Sequence, residues 1–166
     1  MKEFIESQRF TQWWLWLILV GVALIPTWGM YSQVLMGTPM GNNPTPDWAV
    51  VFFCLFTYGM CFLFYFLQLK TTINAKGIHF GFFPLGVNRF HAWQNIDTAA
   101  VVHYGFVGGW GIRYGSKYGT VYNIRGAEGL AVVLKNGKKF LIGSQQIKTL
   151  TEVIQTFKKP DNISDA

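Results

Sequence analysis

Two long stretches without a single charge decide what this chain can fold into. No Asp, Glu, Lys, Arg or His occurs from Thr11 to Pro46, and none from Trp48 to Leu69. The second stretch is apolar on every side, through Val50-Val51-Phe52-Phe53 and Phe62-Leu63-Phe64-Tyr65, so it leaves no face for water. Its 22 residues, at 1.5 Å of rise each, give roughly 33 Å, enough to cross a hydrocarbon core of about 30 Å. Trp48 opens it, and Tyr65 with Lys70 marks its far end, as interfacial anchors do. The first stretch opens with Trp13, Trp14 and Trp16 and runs to about Gln33, or at most to Met36. Pro26 lies inside it, where a kink is tolerable in a membrane helix. The pattern predicts a transmembrane hairpin, with helices over about 13–33 and 48–69 in an N-terminal region spanning 1–69.

A cleaved signal peptide is the rival for the first stretch. Glu3 and Glu6 cancel the basic region that Lys2 and Arg9 would provide, and no small-x-small site follows the apolar run. A retained helix is therefore expected. The loop between the stretches, Gly37 to Asp47, is rich in Gly, Pro and Asn and holds no Lys or Arg. Lys2 and Arg9 precede the first helix, while Lys70, Lys76 and Arg89 follow the second. The positive-inside bias predicts a multi-pass protein of the inner (cytoplasmic) membrane, with both termini cytoplasmic. Cys54 and Cys61, seven apart on one helix, are too distant to bridge and read as small apolar side chains.

From Lys70 onward the material changes, with 12 Lys/Arg against 5 Asp/Glu. Strand-like runs fall at Thr71–Asn74, Ile78–Phe82, Val87–Trp93, Ile96–Tyr104, Gly119–Ile124, Gly129–Leu134 and Phe140–Ile142. Lys135-Asn136-Gly137-Lys138 predicts a type I′ hairpin turn. Ser144 offers an N-cap, and Ile147, Leu150, Ile154 and Phe157 recur at helical spacing until Pro160. The expected fold is thus a membrane helical hairpin followed by an α+β domain over 70–159. In it about seven antiparallel strands are closed by a C-terminal helix, with a tail over 160–166.

That element order, together with several motifs, resembles a bacterial family. The motifs are Trp93-Gln94-Asn95-Ile96, Gly108-Gly109-Trp110-Gly111-Ile112-Arg113, Tyr122-Asn123-Ile124-Arg125-Gly126, and Asn136-Gly137-Lys138-Lys139-Phe140-Leu141-Ile142-Gly143-Ser144-Gln145. The family is that of small bacterial membrane proteins carrying a pleckstrin-homology-like domain after a transmembrane hairpin. The resemblance covers roughly Lys70 to Lys159 and implies a fold and a membrane location, not a biochemical role.

Among candidate sites, Gly105–Gly111 is glycine-rich but lacks the following helix of a phosphate loop, and Gly115-Ser116-Lys117 has the wrong order for one. Its glycines fit a bulge or a close backbone approach, and its aromatics Phe106 and Trp110, with Arg113, are the candidate partner-binding residues. His79, His91 and His103 recur every twelve residues without an evident carboxylate or thiol partner, so neither a metal nor a cofactor is expected. Asp97, Glu128 and Glu152 stand far apart and no nucleophile–base pair is local, which argues against an enzyme. The basic residues Lys117, Arg125, Lys135, Lys138 and Lys139 are the candidate lipid-headgroup contacts, since a membrane tether keeps them near anionic lipid. Lys76 and Arg89 fall short of the basic cluster that inositide-binding relatives carry across their first hairpin. Nucleic acid is not expected, because a membrane accounts for the excess positive charge.

Two functions follow as expectations. One is a non-enzymatic protein-interaction or assembly module at the cytoplasmic membrane face, with a protein partner or a homo-oligomer. The other is an anionic-lipid-sensing module that reads headgroups through basic hairpins.

Overall fold

The computed structural model describes residues 3–39, 41–106 and 109–157. The tail expected over 160–166 and the Val107-Gly108 part of the glycine run lie outside them. The chain divides into two units, Phe10–Leu67 and a β unit made of Met1–Arg9 with Gln68–Ala166.

In the first unit, helix α1 (Trp13–Gly29) continues into a π-helical stretch, Met30–Leu35, and helix α2 (Asp47–Phe66) returns. These are 23 and 20 residues of continuous helix, each long and apolar enough to cross a membrane. Pro26 stays inside the helix, and the turns after Gly29 widen: the Met36 N–H donates to the Tyr31 carbonyl, five residues back, at 3.1 Å. Of the two α-helices only Ala23, Gly29, Ala49 and Val50 are buried. Leu55 is 70% exposed and Phe62 68%, where the core helix of a water-soluble protein would be covered. The helices meet through small and polar groups. The Thr27 and Tyr58 hydroxyls bond at 3.0 Å, Trp16 lies edge-on to Tyr65, and Gln33 Nε2 donates to the Asp47 carboxylate at 2.6 Å. Cys54 and Cys61 are free thiols.

The β unit holds two sheets. The first has the order β1 (Phe4–Arg9), β2 (Gln68–Asn74), β3 (Gly77–Phe83), β4 (Val87–Ala92), all antiparallel. A short 3₁₀ turn, Trp93–Asn95, leads to the second sheet. Its strands are β5 (Ile96–His103), β6 (Gly111–Ser116), β7 (Gly119–Asn123), β8 (Glu128–Leu134) and β9 (Lys139–Gly143), in the order β5-β8-β9-β7-β6. Phe80 meets Tyr122 and Phe140 at 4.8 and 5.2 Å between ring centres, so the sheets share an aromatic core. Helix α3 (Ile147–Phe157) buries Leu150, Val153 and Ile154 and packs on β5, β8 and β1. A smaller cluster, Tyr104, Val121 and Leu141, lies on the second face of the β5–β9 sheet.

Several expectations are corrected here. There are nine strands, not about seven, among the described residues. The first, β1, comes from the N-terminal segment assigned above to the 1–69 hairpin region, and it pairs with β2 from Phe4↔Ile73 to Arg9↔Gln68. The strands are not all antiparallel, because β7 runs parallel to β9. The β6–β7 hairpin, inserted between β5 and β8, joins the far edge of β9 instead of extending the meander. No ladder joins the two sheets among the described residues, so the barrel stays open. The second helix ends at Phe66, not Leu69. Leu69 alternates with Thr71 and Ile73 on the inward face of β2 and is fully buried there, a distinction hydropathy alone does not make.

The β8–β9 turn is also not type I′. Among the described residues no non-glycine has positive φ, so Asn136 does not take its left-handed role. A type I turn, closed by Gly137 N–H to Leu134 O at 2.8 Å, is followed by Gly137 at φ +80, as in three-residue hairpins. Ser144 caps two residues early. Its hydroxyl accepts from the Gln146 N–H, the helix begins at Ile147, and the same hydroxyl donates to Glu6.

Candidate functional site: a basic cleft at the open sheet edge

The inward face of β4 carries Val87, Arg89 and His91, which pair across to Phe82, Phe80 and Ile78 of β3. Since β4 is an edge strand, Arg89 and His91 stand where closure of the barrel would otherwise continue. The β8–β9 hairpin faces them. Lys135 donates its backbone N–H to Asn95 O at 3.0 Å, which ties the hairpin to the 3₁₀ turn after β4. Two adjoining cavities of about 180 and 450 Å³ result, and both are lined by Arg89, His91, Leu134 and Lys138. Lys139 and Tyr122 border the smaller, Lys135 and Asn95 the larger. Four permanent cations therefore converge, and no carboxylate lines either cavity.

The floor is aromatic. The His91 ring stacks on Phe140 at 4.9 Å and on Phe80 at 6.2 Å. Burial holds the imidazole below its usual pKa of 6.5, and the nearby Arg89 guanidinium adds to that. Burial raises the Tyr122 hydroxyl above 10.0; Arg89 pulls it back down, and Tyr114 pushes it further up. The cleft thus holds hydrogen-bond donors and fixed positive charge but no base of ordinary strength. It can bind an anion with Arg89 as a fork donor and the lysines as point charges.

Of the expected headgroup contacts, the structure brings Lys135, Lys138 and Lys139 together and leaves two elsewhere. Lys117, in the β6–β7 turn, places its ammonium 5.0 Å above the Tyr118 ring, and Arg125 follows β7 in an exposed bend. Arg89 was not among the candidates. Alternation along β4 was the available signal, since it sets Arg89 and His91 on one face.

Of the expected partner-binding residues, Phe106 and Trp110 sit on the β5–β6 connection and Arg113 on β6. Phe106 is 85% exposed and Trp110 39%. A Cβ on Gly109 would stand 2.6 Å from an Arg113 guanidinium nitrogen, so Arg113 lies over that backbone. The base of the loop is polar and buried. Tyr104 donates to Gly126 O at 3.1 Å and accepts from Asn123 Nδ2 at 3.3 Å, and burial raises its pKa. The described part of this segment is a loop, so it forms no bulge within a sheet, and its described glycines meet no other backbone closely. The three histidines stay apart: His79 bonds Asn88 across the outer face, His91 faces the cleft, and His103 lies on β5, 3.9 Å from Glu128.

No protein-family model matches this chain, and no curated protein is significantly similar to it.

Proposed function

We propose that this chain is a non-enzymatic, multi-pass protein of the inner (cytoplasmic) membrane whose pleckstrin-homology-like β unit binds an anionic lipid headgroup in the basic cleft. One observation carries the reading: Arg89, Lys135, Lys138 and Lys139 line adjoining cavities with no carboxylate among them. Such a cluster repels itself when empty, and an anion relieves that repulsion. The exposure of α1 and α2 supports membrane insertion. The β1–β2 ladder supports both termini lying on one side, because residues 4–9 and the β unit belong to one sheet. Arg9 and Lys70 flank the helices on that side, and the 37–46 loop opposite has no cation. Two stacked sheets with one C-terminal helix support the pleckstrin-homology-like reading, from which β1 and the parallel β7–β9 pair depart.

The test is native mass spectrometry of the full chain released from its own membrane in mild detergent. Wild type should retain acidic phospholipid, and Arg89→Ala with Lys138→Ala should hold it about thirtyfold more weakly, given the attraction that each cation contributes near a membrane surface. Equal retention by both proteins refutes the reading. A second reading, docking of a protein partner or another copy in an assembly, is favoured by the exposure of Phe106 and of Tyr114 at 80%. A stoichiometric complex in the same spectra, dissolved by Phe106→Ala, supports it.

A further inference from the structure

We propose that the β3–β4 turn, Phe83-Pro84-Leu85-Gly86, is a second membrane contact: an apolar wedge seated in the interfacial layer of the bilayer that α1 and α2 cross. This rests on reading those helices as membrane spans. The argument starts from strand register. Arg9, Gln68 and Phe83 form one row across β1, β2 and β3, the last row of their sheet. Arg9 and Gln68 are bonded directly to Phe10 and Leu67, the ends of the helical unit. At about 4.8 Å per strand, Phe83 stands roughly 5 Å from Gln68 and 10 Å from Arg9 along that row. Both covalent junctions with the helical unit therefore lie at this end of the sheet.

The turn is built for that position. Phe83 is 62% exposed and Leu85 47%. Pro84 has no N–H, so one fewer backbone donor loses its water on entry. Arg9 and Lys70 are exposed on the same face, in the first and third rows from this end, where cations meet phosphate as apolar tips sink below it. The opposite end of the sheet has another character. Its turn, Ala75-Lys76, lies six residues along β2, about 20 Å away, and carries no large apolar side chain.

The experiment uses the full chain with Cys54→Ala and Cys61→Ala, reconstituted in lipid nanodiscs that contain a headgroup-proximal doxyl quencher. Single cysteines are introduced as Leu55→Cys, Leu85→Cys or Lys76→Cys and labelled with an environment-sensitive fluorophore. Strong quenching at 55, together with quenching at 85 at least about twofold above that at 76, is expected for an interfacial side chain. Quenching at 55 with none at 85 beyond that at 76 overturns the wedge and leaves the membrane reading standing. A blue-shifted but unquenched label at 85 also overturns it and assigns the turn to a protein partner. No quenching at 55 overturns the membrane reading beneath the proposal.

Discussion

Glu6 is the residue whose removal most directly tests how the β unit is held. It lies on β1, is 4% exposed, and reaches across to the chain segment leading into α3. Its Oε2 accepts from the Ser144 hydroxyl at 2.6 Å and its Oε1 from the Gln145 N–H at 2.8 Å. Gln8, two residues on, donates to Gly143 O at 2.7 Å and accepts from Gln145 Nε2 at 3.4 Å, so one edge strand is fastened to residues 143–145 by four bonds. Glu6→Ala deletes two bonds to a charged acceptor and strands the Gln145 N–H. Ser144 can turn its proton elsewhere, which leaves roughly 2–3 kcal/mol of lost stability. In a β unit of this size that lowers the melting temperature by about 10 °C or more. Glu6→Gln keeps the shape and one acceptor oxygen, and its amide can donate to Ser144, so it should cost less than half as much. Thermal pulse proteolysis of the full chain in detergent, followed at cleavage sites after residue 68, reads the β unit specifically. A shift below about 2 °C for Glu6→Ala, or equal shifts for Ala and Gln, would refute the assigned geometry.

Three further outcomes are expected. His91 is held below 6.5 when folded, so the native state binds fewer protons than the unfolded chain below that pH. Its contribution is fully present above pH 6.5 and is lost as pH falls through 6.5 toward the folded value; His91→Phe, which keeps the stacking on Phe140, should flatten the melting temperature between pH 7.5 and 5.5. An anion in the cleft favours the charged imidazole, so acidic-lipid retention should strengthen over the same fall in pH in wild type but not in His91→Phe. Gly119→Ala should destabilise the β unit by several kcal/mol in chemical denaturation, because its Cβ would stand 2.1 Å from the Lys139 carbonyl oxygen at a φ of +77.

How legible each part was depended on whether burial left a periodic trace. The helices announced themselves because hydrocarbon demands about 20 uninterrupted apolar residues. β3 showed too, since Ile78, Phe80 and Phe82 alternate inward. β1 did not, because its inward residues are Phe4, Glu6 and Gln8 while apolar Ile5 points outward at 55% exposure. Its buried face is satisfied by hydrogen bonds to residues over 130 positions away, which a local pattern cannot carry. β6 was hidden by Gly111 and Gly115, which read as loop. The cleft was half legible: Lys135, Lys138 and Lys139 stood out as a basic hairpin, whereas Arg89 joins them only through the stacking of β4 over β9.

The place of β1 in the sheet bears on the oldest ambiguity of such a sequence, whether the first apolar stretch is a signal peptide. Cleavage after α1 would carry β1 away with it. Phe4, 1% exposed, would leave the core, and β2 would become an open edge with its Leu69 and Ile73 side chains uncovered. Ser144 and the Gln145 N–H would lose their carboxylate as well. A segment meant for removal would not be fastened at both ends of its strand into the domain that remains. On the membrane reading proposed above, the ladder Phe4↔Ile73 to Arg9↔Gln68 supports a retained α1, with α1 and α2 entering and leaving from the same side. If the β unit, expressed with α1 and residues 1–12 deleted, melted as the full chain does, β1 would be dispensable and that argument would fail.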